Sequence, residues 1–171
     1  RGRTNHYWFD LNRDWLLAIH PESRGKLNWL HEWYPNVVLD VHEMGTNSNY
    51  FFDPMKSSAS VKPLIPQENV DLYPIFAEYY VKYMDSIGSF YYSKESFDET
   101  YPGYGSTYSD LQGGLALLFE QASSRGHVQE TNYGEMTFGF TIRNQFLNGI
   151  ATVEAAVDNK MILRDYQKRF F

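Results

Sequence analysis

Two runs of the chain are apolar almost without interruption. Val37-Val-Leu-Asp-Val-His42 and Leu115-Ala-Leu-Leu-Phe-Glu120 each read as a buried strand, and each ends on an ionisable side chain. In open α/β folds, ligands and catalytic groups gather at the C-terminal edge of the sheet. His42 and Glu120 are therefore candidates for one shared site. Around these runs the pattern is helical. Pro21-Glu22 suits a first turn, Leu27, Leu30 and Tyr34 follow at helical spacing, and Pro35 stops the helix. Residues 68–87 read as an amphipathic helix through Val70, Tyr73, Ile75, Phe76, Tyr79, Tyr80 and Met84. A last helix begins near Phe138 and runs to about residue 168, with Ile142, Phe146, Ile150, Val153 and Val157 forming one apolar stripe. Gly149 weakens that helix by roughly 1 kcal/mol relative to Ala.

Tyr7–Leu11 and residues 90–92 read as short strands. Residues 43–66 and 93–114 read as long loops, the second with one helical turn near Ser109–Gln112. Loops of that length in a compact domain are usually functional. Strands alternating with helices predict an α/β fold, a largely parallel or mixed sheet flanked by helices.

Composition narrows the function. The 171 residues amount to one domain, and 43% hydrophobic content predicts a globular core. Aromatic residues reach 18%, enough for a large aromatic core or for an aromatic-lined cleft that takes a peptide or glycan. The net charge is −6 and no basic run is longer than Lys168-Arg169, which argues against a nucleic-acid partner. The absence of cysteine removes disulfides, thiolate metal sites and a cysteine nucleophile. No stretch approaches the ~18–20 apolar residues of a membrane span, and no signal peptide is visible. The opening Arg-Gly-Arg-Thr-Asn lacks an initiator Met and reads as the middle of a longer polypeptide.

A third segment, Asp10-Leu-Asn-Arg-Asp-Trp15, sets an amide beside a guanidinium. Arginine binds carboxylates in bidentate fashion, so Asn12 and Arg13 suit the terminal carboxylate of a peptide. The plainer alternative is a surface Arg13 paired with Asp14. His42 and Glu120, taken singly, have plain alternatives too: a histidine bonded to Asp40 or backbone, and a solvated strand end.

Asp-Leu-Asn-Arg-Asp-Trp, then Pro-Glu-Ser-Arg-Gly and a helix, then Leu-Asp-Val-His resembles the zinc carboxypeptidases of the carboxypeptidase A type over about residues 5–125. The resemblance implies that His42 is the third zinc ligand and that Asp40 orients it from the same face of the strand. It implies that Asn12 and Arg13 hold the substrate's terminal carboxylate. Glu120 becomes the general base that activates zinc-bound water. Tyr101 or Tyr104 becomes the substrate tyrosine, and Ser109 falls near the base of the specificity pocket. The cofactor implied is Zn2+, the substrate a peptide with a free C-terminal carboxylate, and the compartment extracytoplasmic.

The departures are as informative. The family's first two zinc ligands come from a His-x-x-Glu motif ahead of Asn-Arg, and none precedes Asn12. His31-Glu32 has no second histidine four residues on, so it is not a His-Glu-x-x-His site. The chain therefore reads as a single, incomplete catalytic domain whose other two ligands lie upstream of residue 1 and belong to the rest of its own polypeptide. Arg3 or Arg1 is the candidate for the family's oxyanion arginine. Ala122 stands where an arginine usually follows the catalytic Glu. Two other readings compete. One is a non-catalytic peptide- or glycan-peptide-binding module of the same fold. The other is an aromatic-rich interaction domain in which His42 and Glu120 never meet.

Overall fold

The computed structural model describes residues 3–56 and 64–171. Arg1 and part of the first long loop lie outside the described residues. The two apolar runs form β1 (Val37–Met44) and β4 (Leu115–Ala122), paired in parallel at the centre of the fold. β2 (Tyr50–Phe52) runs antiparallel along the other side of β4, and β3 (Tyr91–Tyr92) pairs in parallel with β2. The sheet order is β1-β4-β2-β3, so β1 is an edge strand. The sheet is mixed, as expected. β5 (Val128–Thr131) and β6 (Gly134–Thr137) form a separate hairpin.

Alternation along β4 divides the interior into two layers. Leu115, Leu117 and Phe119 face α3 (Tyr73–Ser86), α5 (Phe138–Asp158) and α6 (Lys160–Phe170), where Tyr73, Phe76, Tyr80, Met84, Ala151 and Leu163 complete the main core. Across the sheet, α1 (Pro21–Trp33) packs Leu27 and Leu30 against Val38, Trp15 and Tyr108. Part of the aromatic content builds the core, where Tyr50, Phe51, Phe52, Tyr73, Phe76 and Tyr80 are almost wholly buried, while Trp8, Trp33 and Phe171 are largely exposed.

Several local expectations are corrected. Tyr7–Leu11 is not a strand. The Asn5 side chain accepts hydrogen bonds from the amides of Tyr7 and Phe9, and Trp8 sits at φ 67, so the chain turns back on itself. A short 3-10 helix, Leu11–Arg13, follows. The first long loop contains β2, too short to carry a detectable period. The helix over 68–87 is split into α2 (Gln67–Val70) and α3, because Pro74 at the start of α3 cannot donate a helical hydrogen bond back to Val70. The last helix is broken at Asn159 between α5 and α6.

The face of α5 is the largest surprise. Its buried side is Thr141, Asn144, Asn148, Ala151, Thr152 and Ala155. Its apolar stripe, Ile142, Phe146, Ile150, Val153 and Val157, is 43–66% exposed. Small residues let α5 lie close to α3, and the buried amide nitrogens find acceptors. Asn144 donates to Ser89 Oγ and Gln121 Oε1, and Asn148 donates to the Asn144 carbonyl. An apolar stripe of this size, exposed beside an edge strand, has the character of an interaction surface.

Candidate active site

The β1–β4 register sets His42 beside Glu120 and Asp40 beside Leu118. Asp40, His42, Leu118 and Glu120 project on one face, because side chains two apart on a strand share a face. They line a single cleft together with Arg3, Asn12, Arg13, Phe97, Asp98, Tyr104 and Ser106. His42 and Glu120 therefore do meet, which removes the alternative in which they stay apart.

His42 is held by its neighbours. Its Nε2 lies 2.7 Å from Asp40 Oδ1. A carboxylate can only accept, so Nε2 carries the proton. Nδ1 is then the position with a lone pair, and it makes no hydrogen bond among the described residues. Asp40 raises the imidazole pKa above its ordinary value through this bond, against the opposing effect of burial. Asp40 is anchored in turn: its Oδ2 accepts from the Ser106 amide at 3.2 Å.

Asn12 ties three segments together. Its Oδ1 accepts from the Gly105 amide at 2.9 Å and from Trp15 Nε1 at 3.0 Å. That fixes the orientation of the amide and turns Nδ2 toward Asp40, to whose Oδ2 it donates at 3.5 Å. The Asn12 amide is thus engaged within the protein rather than open beside Arg13. Arg13 does not pair with Asp14, whose carboxylate instead accepts from the amides of Ile19 and His20 at the start of α1. The Arg13 guanidinium donates to the Asn12 carbonyl at 2.8 Å and lies over the Tyr104 ring, 4.4 Å from its centroid. Arg3 pairs with Asp10 at 3.0 Å at the rim.

The two tyrosines separate. Tyr104 lines the cleft under Arg13, whereas the Tyr101 hydroxyl donates to the Arg13 carbonyl at 2.9 Å. Tyr101 thus braces the loop from behind. Ser109 is not among the cleft residues: it is buried beside the 3-10 turn Asp110–Gln112, and its carbonyl accepts from Gln112 and Gly114. Ser106, at the start of α4 (Gly105–Tyr108), occupies the cleft wall instead. Sequence reasoning also missed Phe97, Asp98 and Leu118. The one available signal was Leu118, two residues before Glu120 and so on its face.

Glu120 is half-buried, and its Oε2 is buried with no hydrogen-bond partner. Burial pushes its pKa up to about 6, with Asp40 adding to the rise and His42 and Arg3 opposing it. A carboxylate held near neutrality is suited to accept and release a proton.

Gly105 is required by the packing. A Cβ there would lie 2.8 Å from Asp40 Oδ2 and 2.9 Å from the Trp15 ring. Gly105→Ala is expected to destabilise the chain by about 1–3 kcal/mol, read as a lower denaturant midpoint. A change below about 0.5 kcal/mol, the range of neutral surface substitutions, would show that Asp40 is not packed this tightly.

Neither a protein-family model nor a curated protein matches the sequence. Solved structures do match in fold. A metallo-carboxypeptidase from Burkholderia cenocepacia superposes with a TM-score of 0.66 at 16% identity, over 91% of this chain and 40% of that one. A chain from Burkholderia mallei ATCC 23344 described as a candidate carboxypeptidase superposes with a TM-score of 0.63 at 17% identity, over 95% of this chain and 41% of that one. The fold is that of the metallo-carboxypeptidases. The chain spans about 40% of the length of these neighbours.

His42 Nδ1 has a lone pair without a hydrogen-bond partner among the described residues, and Asp40 on the other ring nitrogen is the kind of carboxylate partner that metal-binding histidines commonly have. Among the described residues no group of three or more His, Asp or Glu side chains could hold a metal ion alone. No described helix is long and apolar enough to cross a membrane.

Proposed function

We propose that this chain is part of the catalytic domain of a zinc metallocarboxypeptidase, which removes the last residue of peptides with a free C-terminal carboxylate. The observation that carries the proposal is the cleft in which His42, Glu120 and Arg13 stand together. His42 Nδ1 supplies one ligand. The other two come from polypeptide that covers the open edge of β1 and the apolar stripe of α5. The continuity of these surfaces with the site supports this: Gln145 of α5 donates to the His42 carbonyl at 3.1 Å.

A zinc ion bound there supplies Lewis-acid polarisation of the scissile carbonyl and lowers the pKa of water. The chain's own residues do the rest. Arg13, stacked on Tyr104, binds the terminal carboxylate and so sets the scissile bond at the last residue. Glu120 takes a proton from the attacking water and delivers it to the leaving amine. Arg3, at the rim, stabilises developing negative charge on the carbonyl oxygen. Asp40 holds the imidazole of His42, and Asn12 braces Asp40. The working compartment proposed is extracytoplasmic.

Two measurements test this. The 171-residue chain should bind zinc weakly, because one histidine is far short of a closed site. The zinc-loaded longer protein should release the C-terminal amino acid from free-acid peptides and spare amide-capped ones. Failure to discriminate the two ends would overturn the assignment. Zinc-independent binding of free-acid peptides without release would instead favour a non-catalytic peptide-binding member of the same fold.

A further inference from the structure

The hairpin β5–β6 does not join the main sheet, yet it is fastened down. The Asn132 amide donates to Asn47 Oδ1 at 2.9 Å, the Phe138 amide donates to the His127 carbonyl at 2.8 Å, and Met136 is buried. A two-stranded hairpin is marginal on its own, so these contacts hold it in place. Between it and the segment just before β3 lies a second cavity of about 180 Å³. Gln121, which lines it, follows Glu120 on β4 and so points to the opposite face of the sheet. The cavity is therefore separate from the His42–Glu120 cleft.

Its floor is polar and buried. Ser89, Gln121 and Asn144 line it at 5%, 1% and 0% exposure. Asn144 Nδ2 donates to Ser89 Oγ and to Gln121 Oε1, each at 3.0 Å, and Gln121 Nε2 donates to the Ala122 carbonyl at 3.1 Å. Two groups are left over. The Ser89 hydroxyl proton has no acceptor among the described residues, and Asn144 Oδ1 has only a 3.4 Å contact from Arg143 Nη2. A buried donor and a buried acceptor on two side chains already in contact are both met by a hydroxyl, which donates and accepts.

The mouth is aromatic. Phe90 and Tyr133 line it, mostly exposed, with their ring centroids 6.3 Å apart. The described lining residues include no Lys, Arg or His, and Glu135 is their one carboxylate. An anion has no charged partner there. A purely apolar ring would leave the floor groups unsatisfied. The volume is below the ~300–1,000 Å³ of sites for drug-sized ligands, so the cavity admits a single ring. We propose that it binds a neutral pyranose sugar, with C–H faces against Phe90 and Tyr133 and hydroxyls on Ser89 and Asn144.

The test is an NMR titration of the isotope-labelled 171-residue chain with three probes: methyl β-glucoside, glucuronate and benzamide. Methyl β-glucoside is expected to shift the amides of Ser89, Phe90, Tyr133 and Gly134 saturably, with a Kd in the millimolar range. Glucuronate, the same ring with a carboxylate, should bind more weakly. Tyr133→Ala removes an exposed side chain and keeps the fold, and it should weaken glucoside binding about two- to tenfold. Ser89→Ala should weaken it by a similar about two- to tenfold factor, with folding read from the same spectra. No saturable shift at these amides up to about 50 mM glucoside, well above a millimolar Kd, overturns the proposal. Tighter binding of glucuronate or of benzamide at the same amides overturns it too, in favour of an anion or a planar aromatic ring. So does glucoside binding that Tyr133→Ala leaves unchanged. None of these outcomes bears on the carboxypeptidase assignment, whose groups lie across the sheet.

Discussion

Glu120→Gln in the zinc-loaded longer protein is expected to lower kcat by about 10²–10⁴, the usual contribution of a positioned general base, with KM little changed. Glutamine keeps the shape of the side chain and removes only its capacity to take a proton. The same substitution has an opposite effect on the metal-free 171-residue chain. Burial holds the folded pKa of Glu120 up at about 6, against an ordinary value of 4.5. A carboxylate raised in this way favours the fold while neutral. That contribution is complete below pH 4.5 and is lost as pH rises through about 6. Above that window, Glu120→Gln should be more stable than wild type by about 1 kcal/mol, after allowance for solvent screening of a half-buried group. Denaturant melts at pH 4 and pH 8 read the difference. A residue whose removal stabilises the fold and stops the reaction is kept for chemistry. Wild-type kcat in the variant would end the role of Glu120.

The sequence made the central pair legible because β4 is buried along nearly its whole length and β1, although a half-buried edge strand, carries a matching apolar run. Each apolar run closes on an ionisable residue, so His42 and Glu120 announced themselves, although both strands continue two residues beyond them. The α/β layering followed from the same runs. What hid was set by tertiary contact. The Asn5 side chain, by capping nearby amides, turned a plausible strand into a looped segment. The stripe on α5 was legible as a stripe but not as an outward one, since period cannot say which side a neighbour occupies. Asn144 and Asn148 are buried only because Ser89, Gln121 and local backbone are there to meet them. Tyr104 was separated from Tyr101 by the stack with Arg13, which no spacing in the segment encodes. Asp98 enters the cleft because its loop is pinned to β2 and α3, elements far from it in sequence.

Arg13→Ala is the second large effect, and it should fall on recognition rather than on proton transfer. The guanidinium uses one donor on the Asn12 carbonyl and rests against Tyr104, so its direction is set before any peptide arrives. A charge-assisted contact of this kind contributes about 1.5–3 kcal/mol, so kcat/KM for free-acid peptides should fall by about 10- to 150-fold. The Tyr101 bond is to the backbone carbonyl of Arg13 and survives the substitution, so the loop is not released. Arg13→Lys should recover only part of the loss, because an ammonium has the charge without the planar fork. The decisive comparison is with amide-capped peptides. Wild type on an amide-capped peptide should be as poor as Arg13→Ala on the free acid, and combining the two changes should cost little more than either alone. That non-additivity is the signature of a direct contact. If the two losses simply multiply, Arg13 and the peptide carboxylate act independently, and the cleft reads the chain end through some other group.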